Sequence, residues 1–425
     1  MATLIVELER RYDVKVYIFG MGEGKKYLDR CLLKEIDICG YIDNYKAEKI
    51  GCFNGRPVVN QKNLKEGYDY IIITLMQFEE VKKSLMEEGV RREKLISFFD
   101  FKDASDEKNW EVIDSYKWRT ELMWRHYISI GIPSIENMGH ELYADSELNK
   151  RNCPKIVSAE ETAAILKEEG KCLARFGDGE FEIMCNRPRA KFQDVDIKLS
   201  ERLKEALNSQ EDNLLIAIAD NYGSLGKYTE EAARDIRMYM TSEVRRSHME
   251  LLDLNRQYYD AYISRPYMMY KDKEDAKKRF NQVKGIWTAQ DILIVEGEHT
   301  RFGVGNDLLD DAKSVRRIIT SDKNAFDKYE EIMEAVSAYG KNKLILVTLG
   351  PTATVLAYDF AKQGYWIIDI GQFDVEYEWF LQKADKKCGL RYRNVSEVSF
   401  SEQLCLDATD GTIQHYLDEI VKEIL

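Results

Sequence analysis

Residues 343–364, KLILVTLGPTATVLAYDFAKQG, contain a complete structural unit. The apolar run 343–349 reads as a strand buried on both faces, and Gly350 breaks it. Pro351 then falls in the first turn of a helix over 351–363, where its fixed φ and missing N–H cost nothing, and Gly364 ends that helix. The pattern spreads outward from there. Strand-like runs at 171–176 (KCLARF), 213–219 (NLLIAIA), 291–295 (DILIV), 315–319 (VRRII) and 365–370 (YWIIDI) alternate with helical stretches. Helix 324–339 carries Phe326, Tyr329, Ile332, Met333 and Val336 on one stripe, and 412–425 repeats apolar residues as a packing helix would. Residues 151–425 therefore predict one doubly wound, mostly parallel α/β domain.

The front of the chain reads separately. VKVYIFG (14–20) breaks into GMGEGK (20–25), a helical stretch follows, and a second strand (38–42) ends at Asp43. YIIITL (70–75) and a polar helix 77–88 stopped by Gly89 complete a small Rossmann-like α/β domain over 1–102. Its glycines would let the backbone approach a pyrophosphate, with Asp43 about 20 residues on to take ribose hydroxyls. Lys25 stands where the third glycine belongs, so a scaffold or protein-contact role is open beside nucleotide binding. Residues 103–150 mix acids with Trp110, Trp118 and Trp124 at helical spacing. They predict a helical connector whose tryptophans pack between domains, or an aromatic strip for an acceptor.

Length and charge narrow the function. The chain has 425 residues, enough for two or three domains at roughly 100–200 residues each. With 62 basic and 75 acidic residues the net charge is −13, which argues against nucleic acid as a partner. A phosphate-bearing substrate would need a metal ion or a few arginines to offset that field. No membrane span or signal peptide is apparent. The 8 cysteines lack CxxC spacing and read as buried, reduced thiols. A cytoplasmic location is expected.

In a parallel sheet the chemistry belongs in the loops after the strands. After KCLARF come Gly177, Asp178, Gly179 and Glu180, two acids that either aim at one hard cation or make an ordinary turn into a helix. DILIV leads to Glu296, Gly297 and Glu298, then Arg301, Asn306 and Asp307, of which the last two are also plausible helix caps. KLILVTL leads to Gly350, Thr352 and Thr354, an anion cradle or a plain strand-to-helix turn. YWIID ends at Asp369, and Arg265 lies in ISRPYM (263–268). Acid- and glycine-rich loops at one edge suit metal-assisted handling of a diphosphate.

The segments ARFGDGE (174–180), ISRPYM, VEGEHTRFGVGNDL (295–308), LGPTATVLAYD (349–359) and DIGQFDVEYEW (369–379) occur in the order found in the GT-D-type glycosyltransferases, a bacterial family that 151–380 resembles. The resemblance implies a nucleotide-sugar transferase, with UDP-glucose the donor best known for the family and Mn²⁺ or Mg²⁺ required. Its Asp-x-Glu element falls on Asp178 and Glu180, as metal ligands and catalytic residues. Donor contacts are expected from Arg175, Gly177, Arg265, Arg301, Asn306, Gly350, Thr352, Thr354 and Asp369, with Glu298 and Asp307 the candidates for the base. A glycan or glycoprotein acceptor is implied, and other glycosyltransferases of the same pathway as partners. Gln372 stands where the family pattern expects histidine, and an amide cannot carry a proton transfer. Two other readings compete: an NAD-linked sugar-modifying enzyme using Gly20, Gly22 and Asp43, and a docking protein of a glycan-assembly complex.

Overall fold

The computed structural model describes residues 14–47, 49–142, 144, 152–187, 193–395, 398 and 411–425. The chain divides between Ile132 and Pro133 into two units.

The first unit contains strands β1 (Lys15–Phe19), β2 (Asp37–Ile42), β3 (Cys52–Phe53), β4 (Arg56–Val59), β5 (Tyr70–Ile73) and β6 (Leu95–Ser97). They pair in the order β3-β4-β2-β1-β5-β6, parallel except for the β3/β4 hairpin. Successive side chains of a strand face opposite ways, and both faces are covered here. Val16, Ile18 and Ile72 pack with Leu28 of the helix Glu23–Cys31, while Tyr17, Phe19 and Ile71 pack with Val81 and Leu85 of the helix Phe78–Glu87.

The glycine fingerprint has packing reasons of its own. A Cβ on Gly24 would stand 2.0 Å from the Thr74 carbonyl oxygen, so only glycine lets this helix pass so close to the end of β5. Lys25 is buried and pairs with Asp29 at 2.6 Å. Asp43 Oδ1 accepts the N–H groups of Tyr45 and Lys46 at 3.2 and 3.0 Å and thereby shapes its own turn. A short helix, Phe101–Ser105, and a 3₁₀ turn, Glu107–Glu111, lead to the helix Ser115–His126, which Asp114 caps. Trp118 lies in this unit's own core, stacked on Phe98 with its indole N–H given to the Phe98 carbonyl at 2.7 Å, which corrects the expectation that it packs between domains. Cysteine burial also departs from expectation: Cys31 and Cys172 are buried, but Cys52 is exposed.

The second unit is built on a nine-stranded sheet. Its strands are β7 (Lys155–Ile156), β8 (Cys172–Phe176), β9 (Leu214–Ile218), β10 (Gln257–Asp260), β11 (Asp291–Gly297), β12 (Ser314–Thr320), β13 (Leu344–Thr348), β14 (Trp366–Asp369) and β15 (Ile420–Ile424). The order is β15-β12-β11-β13-β14-β8-β9-β10-β7, with every described pairing parallel. Strands β9 and β13 are almost wholly buried, as their uninterrupted apolar runs require. Pro351–Lys362 is the helix read from 343–364, and Gly364 follows it at φ +78°.

Two expectations need correction. The segment 324–339 is a 3₁₀ turn, Ala325–Lys328, followed by the helix Tyr329–Tyr339. The terminal stretch is helical only over Gly411–Glu419. The remaining IVKEI forms β15, which pairs along the open edge of β12. Two β-branched isoleucines and a valine gain more from that edge than from another helical turn.

The helices divide between the two faces. Asp178–Met184 after β8 and Pro351–Lys362 after β13 cover one face; Phe373–Leu381 after β14 covers the other. Neighbouring strands β14 and β8 thus send their following helices to opposite sides, which opens a crevice at their C-terminal ends. No helix among the described residues is long and apolar enough to cross a membrane.

Candidate active site

The crevice is organised around Arg175 on β8. Its guanidinium Nη2 reaches Asp369 Oδ1 at 2.7 Å, Nε donates to the Asp369 carbonyl at 2.8 Å, and Nη1 donates to Ser264 Oγ at 2.7 Å. Burial pushes the Asp369 carboxyl up, and the arginine pulls it back toward ionisation. Gly371, at φ +53°, passes directly over this pair, and a Cβ there would stand 2.1 Å from Nη2. Thr354 donates its hydroxyl to the Arg175 carbonyl at 2.8 Å, tying the helix after β13 to β8.

The next loop starts the helix Asp178–Met184. Glu180 folds back so that Oε2 accepts the Gly177 N–H at 2.8 Å, while Asp178 is exposed at the helix start. Burial, and then the nearby Asp369, push the Glu180 carboxyl up to about 7. Behind the loop, the Tyr239 hydroxyl donates to Glu182 Oε1 at 3.2 Å and meets His248 Nε2 at 3.2 Å, while Tyr222 holds His248 Nδ1 at 2.8 Å. Burial drives the His248 imidazole down to about 3, so it is neutral and serves as a packed hydrogen-bonding strut against Phe181.

Two further features line this edge. Gly350 turns at φ +53° into the twelve-residue helix Pro351–Lys362, and the hydroxyls of Thr348, at the end of β13, and Thr352, in the first turn of the helix, are buried without a hydrogen-bond partner among the described residues. A buried hydroxyl at a helix N-terminus fits an anionic oxygen. Across the crevice, Arg265 Nη2 donates to Gln372 Oε1 at 3.2 Å. Its segment is anchored by buried Glu376, whose Oε2 accepts the N–H groups of Tyr267 and Met268 at 3.0 and 2.7 Å. Gln372 therefore holds an arginine at the position where the family pattern expects histidine.

The β11 loop forms a second group. Glu296 is buried and meets Arg317 Nη1 at 2.6 Å, and Arg317 Nε reaches Glu419 at 2.6 Å. Arg301 adopts φ +48° and reaches the Tyr392 carbonyl at 3.5 Å. Asn306 donates to Glu378 at 2.7 Å and caps its own turn through Leu308 N–H. Asp307 accepts the Tyr377 hydroxyl at 2.7 Å and pairs with Lys284 at 3.5 Å; the tyrosine hydrogen bond holds its carboxyl below the usual range and makes it a weak base. Glu298 lies beside His299, which meets Asp322 at 2.6 Å.

The residues expected from the sequence thus fall into two groups. Arg175, Gly177, Asp178, Glu180, Arg265, Gly350, Thr352, Thr354 and Asp369 lie around the β13-β14-β8 strand ends and the loop after β10. Glu298, Arg301, Asn306 and Asp307 follow β11, the strand beyond β13. Ser264, Asp322 and His299 were not singled out. Ser264 lies in the quoted ISRPYM segment, but only the crossing of chain segments reveals its bond to Arg175.

The family described as “Glycosyltransferase GT-D fold” matches residues 173–398, more than half of the chain. The chain belongs to the GT-D family. The match spans every residue of both groups. A second family, “C2185-like, N-terminal”, matches residues 12–96 and so covers the first sheet. The “Probable glycosyl transferase Gly” of Streptococcus gordonii is 38% identical over 253 residues, 59% of this chain and 36% of that protein. “Glycosyltransferase GlyD” of Streptococcus pneumoniae serotype 4 is 32% identical over 258 residues, 59% of this chain and 30% of that protein. This GT-D chain spans about a third of the length of these curated relatives. A solved glycosyltransferase from Streptococcus sanguinis superimposes over 64% of this chain and all of its own, at 34% identity and a TM-score of 0.58. A domain solved as having a distinct glycosyltransferase fold gives 33% identity and a TM-score of 0.60, over 66% of this chain and 100% of that one.

Proposed function

We propose that this GT-D chain transfers a sugar from a nucleoside-diphosphate sugar to a glycan or glycoprotein acceptor, with UDP-glucose the donor. The observation that carries the reading is Arg175, fixed on three sides by Asp369 and Ser264 at the β14/β8 crevice. A guanidinium held that firmly binds an anion without first losing its own freedom. Arg265 offers a second cation, and the Thr352 hydroxyl offers a buried donor at a helix start. Together they suit a diphosphate leaving group, whose growing charge must be stabilised before the sugar–oxygen bond breaks.

The divalent ion implied by the family fits Asp178 and Glu180. Asp178 is exposed, and Glu180 commits one carboxylate oxygen to the Gly177 N–H, which leaves the other. One or two carboxylates are the usual protein share for Mg²⁺ or Mn²⁺, whose remaining positions go to water and phosphate oxygens. Bound there, the ion would supply Lewis-acid stabilisation of the diphosphate. A pathway role beside other glycosyltransferases is part of the same proposal.

Release of UDP from UDP-glucose in the presence of Mn²⁺ tests the reading, with the other nucleotide sugars run in parallel. Loss of release with EDTA and in Asp178→Ala is expected. Full activity in both Asp178→Ala and Glu180→Ala would remove the ion from that loop. No nucleotide release from any donor would remove the transferase reading.

A further inference from the structure

We propose that Glu298, His299 and Asp322 form a divalent-cation site of their own, separate from the Asp178–Glu180 loop and filled by a borderline transition-metal ion. Strands β11 and β12 are neighbours, paired in register through Gly297 and Thr320, so the residues that follow each strand leave the sheet side by side. His299 Nδ1 stands 2.6 Å from Asp322 Oδ2 and 3.8 Å from Glu298 Oε1. One donor atom from each residue lies within 4.8 Å of the other two, and this is the one group of three or more such side chains among the described residues. Ligands about 2.0–2.2 Å from a shared ion are themselves roughly 3–4 Å apart. His299 and Glu298 stand at that spacing, whereas His299 and Asp322 are closer because they share a hydrogen bond, whose proton an entering ion would replace.

The backbone holds the triad in place. Asp322 Oδ1 accepts the His299 N–H at 3.1 Å, and the Asn394 N–H fixes the His299 carbonyl at 2.8 Å. Gly297 makes this approach possible, since a Cβ there would stand 2.4 Å from Asp322 Oδ1. All three residues are partly exposed, so an ion has a route in.

Donor chemistry selects the ion. One imidazole nitrogen with two carboxylates suits Mn²⁺, Fe²⁺ or Zn²⁺, whereas Mg²⁺ favours an all-oxygen shell. Position separates the two sites. β11 and β8 are three strand spacings apart in the sheet, roughly 14 Å at about 4.8 Å each, and neither Asp178 nor Glu180 is among the donors grouped with the triad. The triad supplies three protein ligands, so it does not depend on phosphate oxygens to complete a shell. Binding without nucleotide follows from that. In this role Glu298 is an ion ligand.

The test uses the full chain, stripped of metal and free of nucleotide. Mn²⁺ binding is read by the loss of the free-ion EPR signal, and Zn²⁺ binding by calorimetry. One ion per chain is expected, with affinity unchanged in Asp178→Asn and weakened about tenfold or more in His299→Ala and Asp322→Asn. Glu298→Gln, at a side chain near the surface, guards against a folding defect: weaker binding with an unchanged unfolding midpoint is expected. No binding without nucleotide, binding indifferent to His299→Ala, or binding lost in Asp178→Asn would each overturn the proposal. The readout needs no sugar donor, so its failure leaves the transferase reading standing, and failure of UDP release leaves this site standing.

Discussion

Arg175 and Asp369 meet across neighbouring strands at 2.7 Å, with side-chain exposures of only 18% and 3%. Breaking a pair this dry leaves one charge without its partner, a loss of about 3–5 kcal/mol in buried pairs. Asp369→Ala is therefore expected to lose about 3 kcal/mol of stability in urea unfolding. Arg175→Lys keeps the charge but cannot donate to Ser264 and Asp369 at once, because an ammonium lacks the planar fork. It should unfold near the native midpoint yet release UDP at least about tenfold more slowly, a loss of roughly 1.4 kcal/mol of transition-state stabilisation. Native stability in Asp369→Ala would show that the pair contributes nothing to the fold.

Gly371 and Gly364 separate steric clash from backbone strain. Both have positive φ, +53° and +78°, but a Cβ on Gly371 would strike the Arg175 guanidinium at 2.1 Å, whereas one on Gly364 meets nothing within 4 Å. Gly364→Ala should cost about 1–2 kcal/mol from the left-handed backbone alone. Gly371→Ala should carry that same strain and also displace the arginine, so its loss of UDP release should far exceed that of Gly364→Ala. Equal activity in the two variants would remove the close approach from the account.

The fold was legible where local signals agree with the sheet. In 343–364 an apolar strand, a breaking glycine, a proline in the first turn and a terminal glycine all point the same way, and the structure follows them within a residue. The terminal IVKEI was not legible, because its pairing with β12 is a long-range event that helical periodicity hides. Nor were the front glycines, since Gly24 beside the Thr74 carbonyl looks in sequence like a glycine beside a pyrophosphate. The strand-end loops of the candidate site could be read from strand alternation. Partners such as Ser264 for Arg175, or Asp322 for His299, depend on register between segments far apart in the chain.

Glu296 illustrates the same limit and can be tested. In sequence it resembles the neighbouring Glu298, but it is wholly buried and clamped by Arg317, which also holds Glu419 ahead of β15. Arg317→Met should lose about 3–5 kcal/mol, because it leaves the Glu296 carboxylate without its counter-charge. Adding Glu296→Gln to that variant should recover part of the loss. A double mutant no more stable than Arg317→Met alone would show that the charge pairing is not what Arg317 contributes.

Asp260, the last residue of β10, gives the pH test. Burial first, and the nearby Asp220 second, push its carboxyl up to about 7 against the pull of Lys227. The folded chain therefore holds this proton more tightly than the unfolded chain, where the group titrates near 3.9. The stability it contributes is complete below about pH 4 and is lost as pH rises toward 7. Asp260→Asn cannot ionise, yet it retains an oxygen to accept the Tyr262 N–H, now at 2.8 Å. Urea unfolding from pH 4 to pH 8 should show the variant gaining on the native chain by up to a few kcal/mol, most of it between pH 4 and 7, and levelling off above. Stability curves that run parallel over that range would mean the carboxyl does not titrate there, and that Lys227 holds it ionised throughout.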